Sequence, residues 1–204
     1  LYTEAWQELV SRYGKDYTWD VKVRCMGMRA ELSAQLVVDA LQLPLTPEQF
    51  LEDVEKLYLK LFPTAKTLPG AERLLHHLHQ HKIPMAIASG SSQASYDLKT
   101  THHQELMSIF KHKVLSSSDP EVVHGKPAPD VFLVCAARFQ DQPQPQKCLV
   151  FEDAPNGVTA AVAAGMQVVM VPDPRTDAAL TQNATLVIKS LEDFKPELFG
   201  LPPY

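Results

Sequence analysis

The chain has 204 residues, 45% of them hydrophobic and 21% charged, with a formal net charge of −5, which are ordinary values for one globular fold with room for an inserted subdomain. This balance excludes disordered, collagen-like and disulfide-dense classes, and the lack of a basic block argues against a nucleic-acid partner. Cys25, Cys135 and Cys148 are widely separated and form no C-x-x-C pair, and no apolar run approaches the roughly 18 residues of a membrane helix. The expectation is a cytoplasmic chain with free thiols and no membrane partner.

The first third reads as helices only. Tyr2, Ala5, Trp6, Leu9, Val10 and Tyr13 recur at helical spacing from the first residues to Gly14, with no capping side chain ahead of Leu1. That abrupt entry predicts a fragment of a longer protein. A second helix is predicted over 30–41, with Leu32, Leu36, Val37, Ala40 and Leu41 along one side, and Arg24, Met26, Gly27, Met28 and Arg29 fall in the loop before it. Thr46 followed by Pro47 forms a cap and first-turn pair for a third helix. Its stripe of Phe50, Leu51, Val54, Leu57, Tyr58 and Leu61 ends at Pro63.

From Pro69-Gly70 the pattern changes to short apolar runs alternating with helical stretches, the signature of βαβ units and a parallel sheet. Strands are predicted at 83–88, 114–115, 148–151, 168–171 and 186–188. Helices are predicted at 71–80, 91–110, 129–139 and 156–164, the last capped by Gly165. A surface loop covers 140–146. The expected architecture is therefore α/β: a helical subdomain over 1–68 and a Rossmann-like core over 69–204.

In open α/β sheets ligands bind beyond the carboxyl ends of the strands, which directs attention to three segments. Ser89-Gly90-Ser91-Ser92 offers a hydroxyl and backbone donors to an anion such as phosphate, although such turns also serve simply as helix caps. Lys126 stands in Gly125-Lys126-Pro127-Ala128-Pro129-Asp130, where two prolines restrict the frame around one point charge suited to phosphate. Glu152 and Asp153 are adjacent carboxylates at a strand end. Their repulsion is relieved by a hard cation such as Mg²⁺ or, alternatively, by the positive end of the following helix. The run His76-His77-Leu78-His79-Gln80-His81 places His77 and His81 one turn apart without a third ligand, so it reads as the polar face of a helix.

Taken together, Ser89, the segment from Gly125 to Asp130 and Phe151-Glu152-Asp153-Ala154-Pro155-Asn156-Gly157 resemble the second to fourth motifs of the haloacid dehalogenase-like phosphatases with a small helical cap. The likeness extends over the whole chain. In 147–173 and 196–202 it is closest to members acting on pseudouridine 5′-phosphate. The resemblance implies a monomeric, Mg²⁺-dependent hydrolase of a small phosphorylated metabolite that forms an aspartyl phosphate. It further implies that Ser89 and Gly90 bind phosphate, that Lys126 stabilises phosphate and nucleophile, that Asp153 ligates Mg²⁺ with Glu152 in its outer sphere, and that Arg29 contacts substrate. A sugar phosphomutase shares these motifs. No Asp-x-Asp occurs in the 204 residues, so the nucleophile and its sheet-central strand are expected to lie outside this chain. The chain on its own would then be an inactive, ligand-binding form with two strand edges unpaired.

Overall fold

The computed structural model describes residues 1–26 and 28–204; Gly27 lies outside them. Four helices open the chain: α1 (Tyr2–Ser11), α2 (Trp19–Cys25), α3 (Ala30–Leu41) and α4 (Pro47–Leu61). Thr46 caps α4 through a reciprocal box, its hydroxyl accepting from the Gln49 N–H at 3.2 Å while the Gln49 side chain accepts from the Thr46 N–H at 2.9 Å. The amphipathic faces meet in a common core in which Ala5, Leu9, Val10, Ala34, Val37, Phe50, Val54 and Phe62 are completely buried. Aromatic contacts specify it further. Trp6 sets its edge on Phe50 at 5.2 Å and donates its indole N–H to the Tyr58 hydroxyl, and Tyr58 stacks on Phe62 at 4.1 Å. Helix α2 corrects the sequence expectation, because it places Arg24 on a helix and not in a loop. Its single turn pair of buried residues, Val21 and Cys25, is too short a stripe to reveal a period.

The remainder alternates strands and helices: α5 (Ala71–Gln80), β1 (Ile87–Ser89), α6 (Gln93–Thr100), α7 (Gln104–Met107), β2 (Lys113–Leu115), α8 (Asp130–Ala137), β3 (Leu149–Glu152), α9 (Pro155–Ala163), β4 (Gln167–Met170) and β5 (Leu186–Val187). Every strand pair is parallel. The strand predicted over 83–88 is regular only over Ile87–Ser89, with a single bond from the Lys111 N–H to the Met85 carbonyl ahead of it. The helix predicted over 91–110 is interrupted between α6 and α7. There the Thr100 and Thr101 hydroxyls bond back to the carbonyls of Tyr96 and Asp97, each at 3.0 Å, competing with the helical ladder. Gly165, at φ +76°, closes α9 as its sequence position suggested.

The strands form two sheets, β1-β2 and β3-β4-β5, and not one. Helix α8 packs on β1 and β2, α9 packs on β3 and β4, and α8 touches α9, so the sheets lie side by side in one layer. Lys111 and Ser116 donate to the carbonyls of Met85 and Ser89, which turns the backbone of Ala88 to the opposite edge of β1. On β3 the Gln167 and Val171 amides bond Cys148 and Glu152, leaving Phe151 on the edge away from β4. Ala88 and Phe151 line one shared cavity. A slot thus runs between β1 and β3, bordered on both sides by strand edges without ladder partners among the described residues.

Candidate active site

At the carboxyl end of this slot a cavity of about 920 Å³ collects the residues singled out from sequence: Ser89, Gly90, Lys126, Glu152 and Asp153. Each is delivered by its own strand end. Ser89 closes β1, and its hydroxyl accepts from the Ser91 N–H at 3.1 Å. Capping of α6 falls to Ser92, which accepts from the Ser95 N–H at 3.3 Å. Ser89 is therefore not the helix cap, and the turn it opens faces the cavity.

Lys126 is only 5% exposed, far from a solvated surface lysine. Its ammonium donates to the carbonyl of Ala88, on the slot edge of β1, at 3.3 Å and forms an ion pair with Glu152 at the end of β3. One cation thus bridges the two sheets. The segment before it is held from two sides. Asp130 accepts from the His124 N–H at 2.8 Å, and Arg138 pairs with Asp119 through contacts of 2.6 and 2.8 Å.

Glu152 is turned under the first turn of α9. A Cβ on Gly157 would stand 2.1 Å from its carboxyl group, so only glycine permits this approach. Burial drives the pKa of Glu152 up, opposed by the charge and hydrogen bond of Lys126. Asp153 is exposed to the cavity instead, and no hydrogen bond or ion pair engages its carboxylate among the described residues. Adjacent acids thus have different surroundings: one neutralises the buried lysine, the other offers free oxygens. Mg²⁺ is commonly held by one or two carboxylates together with waters and substrate phosphate, and Asp153 fits that role as a single hard ligand. Among the described residues no group of three His, Cys, Asp or Glu side chains is arranged around a common ion position, His77 and His81 included.

The helical region forms the opposite wall with Trp6, Tyr17, Lys22, Cys25, Met28, Ser33 and Tyr58. Burial raises the Tyr17 hydroxyl above its ordinary pKa and the Cys25 thiol to about 11, so both are neutral donors at pH 7. Two contacts fasten this wall to the α/β region. Asn156 donates to the Met26 carbonyl at 2.7 Å, and Arg29 donates to the Val122 carbonyl at 2.5 Å with its stem against Gly125. Arg29, expected at the substrate, lies outside the cavity lining and braces the segment that carries Lys126.

A model of the haloacid dehalogenase-like hydrolases matches residues 1–165. The chain belongs to that family. A Drosophila melanogaster protein named probable pseudouridine-5′-phosphatase is 51% identical over 204 residues, spanning 100% of this chain and 88% of its relative. (DL)-glycerol-3-phosphatase 2 of Arabidopsis thaliana is 48% identical over 207 residues, covering 100% and 86% of the two chains. In fold the hydrolase is similar to a β-phosphoglucomutase of Clostridium difficile, with a TM-score of 0.76 at 22% identity over 97% of this chain and 87% of that one. At that identity the likeness speaks for the architecture alone.

Two residues of the hydrolase's cavity, Lys22 and Asp173, escaped the sequence reading, as did Trp19 and Arg175 that contact them. Arg175 is held by Asp173 at 2.8 and 2.9 Å and lies 4.3 Å above the Trp19 ring, joining the loop after β4 to α2. The signal was present in Val171-Pro172-Asp173-Pro174-Arg175, a charged pair framed by prolines beyond a strand end, the same pattern that marked Lys126.

Proposed function

We propose that this hydrolase is a Mg²⁺-dependent phosphomonoesterase of small phosphorylated metabolites, foremost pseudouridine 5′-phosphate. One observation carries the reading: a buried lysine, facing an unfilled slot, at the meeting point of a hydroxyl-bearing turn and a free carboxylate. Glu152 holds the buried ammonium on one side, and the Lys126 N–H left over can meet a phosphate seated on the Ser89-Gly90 turn. The turn supplies backbone N–H groups and a hydroxyl; Lys126 neutralises charge on the phosphoryl oxygens as the bond to the leaving oxygen breaks.

The slot between β1 and β3 has an unpaired parallel strand edge on each side among the described residues, the arrangement that a further strand between them would complete. A strand seated there would end beside Ser89, Lys126 and Asp153, and it is the position from which the family's aspartate nucleophile would attack phosphorus. By the family's resemblance the leaving alcohol would take a proton from a second aspartate of that strand, and water would then cleave the aspartyl phosphate to inorganic phosphate. Mg²⁺ on Asp153, when bound, supplies charge neutralisation at the phosphoryl oxygens. Glu152 keeps Lys126 in place from below, and Arg29 holds the Lys126 segment against the helical cap.

The identity to a named pseudouridine-5′-phosphatase and to a named glycerol-3-phosphatase supports hydrolysis of a small monoester. The test is release of inorganic phosphate from pseudouridine 5′-phosphate and glycerol 3-phosphate by the full-length protein with and without Mg²⁺. Asp153→Asn is expected to lower Mg²⁺-dependent turnover more than about 100-fold while the urea midpoint stays within error of wild type. Retained activity in that variant overturns the metal assignment. Formation of an isomeric phosphate ester in place of inorganic phosphate would instead identify a phosphomutase.

A further inference from the structure

Lys22 lies on α2, in the helical region, and lines the same cavity as Ser89, Lys126 and Asp153 of the strand ends. Its side chain is half-buried, and its ammonium stands 4.9 Å from the centre of the Trp19 ring. The same ring carries the Arg175 guanidinium at 4.3 Å, so the indole is flanked by two cations that differ in their commitments. Arg175 is bound by both carboxylate oxygens of Asp173. Lys22 makes no hydrogen bond or ion pair among the described residues. Burial lowers its pKa, against the opposing charges of Asp173 and Asp153. The remaining lysines on the cavity wall are Lys126, which is occupied by Glu152, and Lys189, which is exposed.

A partly desolvated ammonium without hydrogen-bond partners among the described residues, set beside an aromatic ring, is arranged to bind something that enters the cavity. The phosphate end belongs to the strand termini. The atoms within reach of α2 are those beyond the ester oxygen.

We propose that Lys22 reads the leaving group, donating to a hydroxyl or carbonyl oxygen on the part of the substrate distal to phosphate. The cavity therefore favours monoesters of oxygen-rich alcohols over monoesters of bare hydrocarbon groups. This assignment rests on the phosphatase reading above and adds the residue that sets its selectivity.

The test compares glycerol 3-phosphate, which carries hydroxyls beyond the ester, with phenyl phosphate, which carries none. Turnover and calorimetric binding are measured on the full-length protein, its Lys22→Met variant and its Lys22→Arg variant. Methionine keeps a flexible unbranched side chain of similar length and removes the charge and donors. The ratio of kcat/KM for glycerol 3-phosphate over phenyl phosphate is expected to fall about 10- to 100-fold in Lys22→Met, the loss of one charged hydrogen bond, and to fall through KM. Lys22→Arg should regain most of it. A ratio that stays constant, with both substrates affected alike or neither affected, overturns the proposal. If wild type binds both esters and hydrolyses neither, the phosphatase reading fails, and the ratio of the two dissociation constants decides Lys22: a ratio unchanged in Lys22→Met overturns it, and a selective loss for glycerol 3-phosphate upholds it.

Discussion

The helical region and the α/β region meet the same requirement, burial of apolar surface without stranding backbone polar groups, with opposite degrees of closure. The four opening helices bond their own backbones and enclose a core of completely buried aromatic and aliphatic side chains. A parallel strand cannot do this alone. β1 and β3 each have a partner on one edge and a slot on the other, and the polar groups of Ala88 and Phe151 face that slot. Among the described residues, the helical core is closed on itself and the α/β layer leaves two strand edges open. That difference also explains why a lysine sits at the join: Lys126 satisfies the Ala88 carbonyl and the Glu152 carboxylate in the space that a strand would border.

If the helical core is self-sufficient, damage to it should be felt there first. Phe50→Ala removes a fully buried ring that carries the edge of Trp6, at an expected cost of about 3–5 kcal/mol. Both tryptophans, Trp6 and Trp19, lie in the helical region, and Trp6 sits in its core beside Phe50, so their fluorescence follows that region more closely than circular dichroism does. The fluorescence midpoint in urea should drop well below the midpoint seen by far-ultraviolet circular dichroism. Coincident transitions in the variant would mean that the two regions unfold as one unit.

The complementary break is at the join. Lys126→Met leaves Glu152 buried against Gly157 without its cation, and the expected loss is about 3 kcal/mol at pH 7. Burial already raises the pKa of Glu152, and removing Lys126 takes away the charge that opposed the rise. A raised carboxyl pKa means that the folded state holds the proton more tightly than the unfolded chain. The deficit should accordingly be smallest near pH 4 and grow as pH rises towards 7. Urea unfolding of Lys126→Met across that range measures it, and the double variant Lys126→Met, Glu152→Gln should recover much of the loss.

Legibility in the sequence followed the length of the signal. Helices α3, α4 and α5 were readable because each carries two or more turns of apolar stripe with its own boundary residue, such as Thr46-Pro47 or Gly70. The strands were placed to within a few residues, yet whether they share one sheet depends on edges, which no local pattern encodes. Ser89, Lys126 and Asp153 could be picked out because turn chemistry and proline frames mark strand ends. What they do to one another was not readable, since the burial of Glu152 under α9 depends on Gly157 and on a lysine 26 positions away in sequence. Lys22 was invisible for a similar reason: one charged residue on a one-stripe helix is indistinguishable from a solvated one until the cavity it lines is known.

The finest contact between the two regions is the Arg175 guanidinium above Trp19, and its strength can be measured through acid unfolding. Arg175 holds the Asp173 carboxyl at a pKa of about 2, below the roughly 3.9 of an unfolded aspartate. The folded state therefore binds this proton less readily than the unfolded chain does. Stability from the pair is present above about pH 4 and disappears as pH falls towards 2. Asp173 keeps 25% and Arg175 61% of its side-chain surface, so solvent screens the pair and its worth is small. Asp173→Asn should lower the unfolding free energy slightly at pH 7 and by almost nothing at pH 2. Because Arg175 would be freed to leave the indole, the fluorescence of Trp19 should change at pH 7 in the folded variant even where stability barely moves. An unaltered spectrum would mean that Arg175 stays over the ring without its carboxylate, and that the stacking holds the loop after β4 to α2.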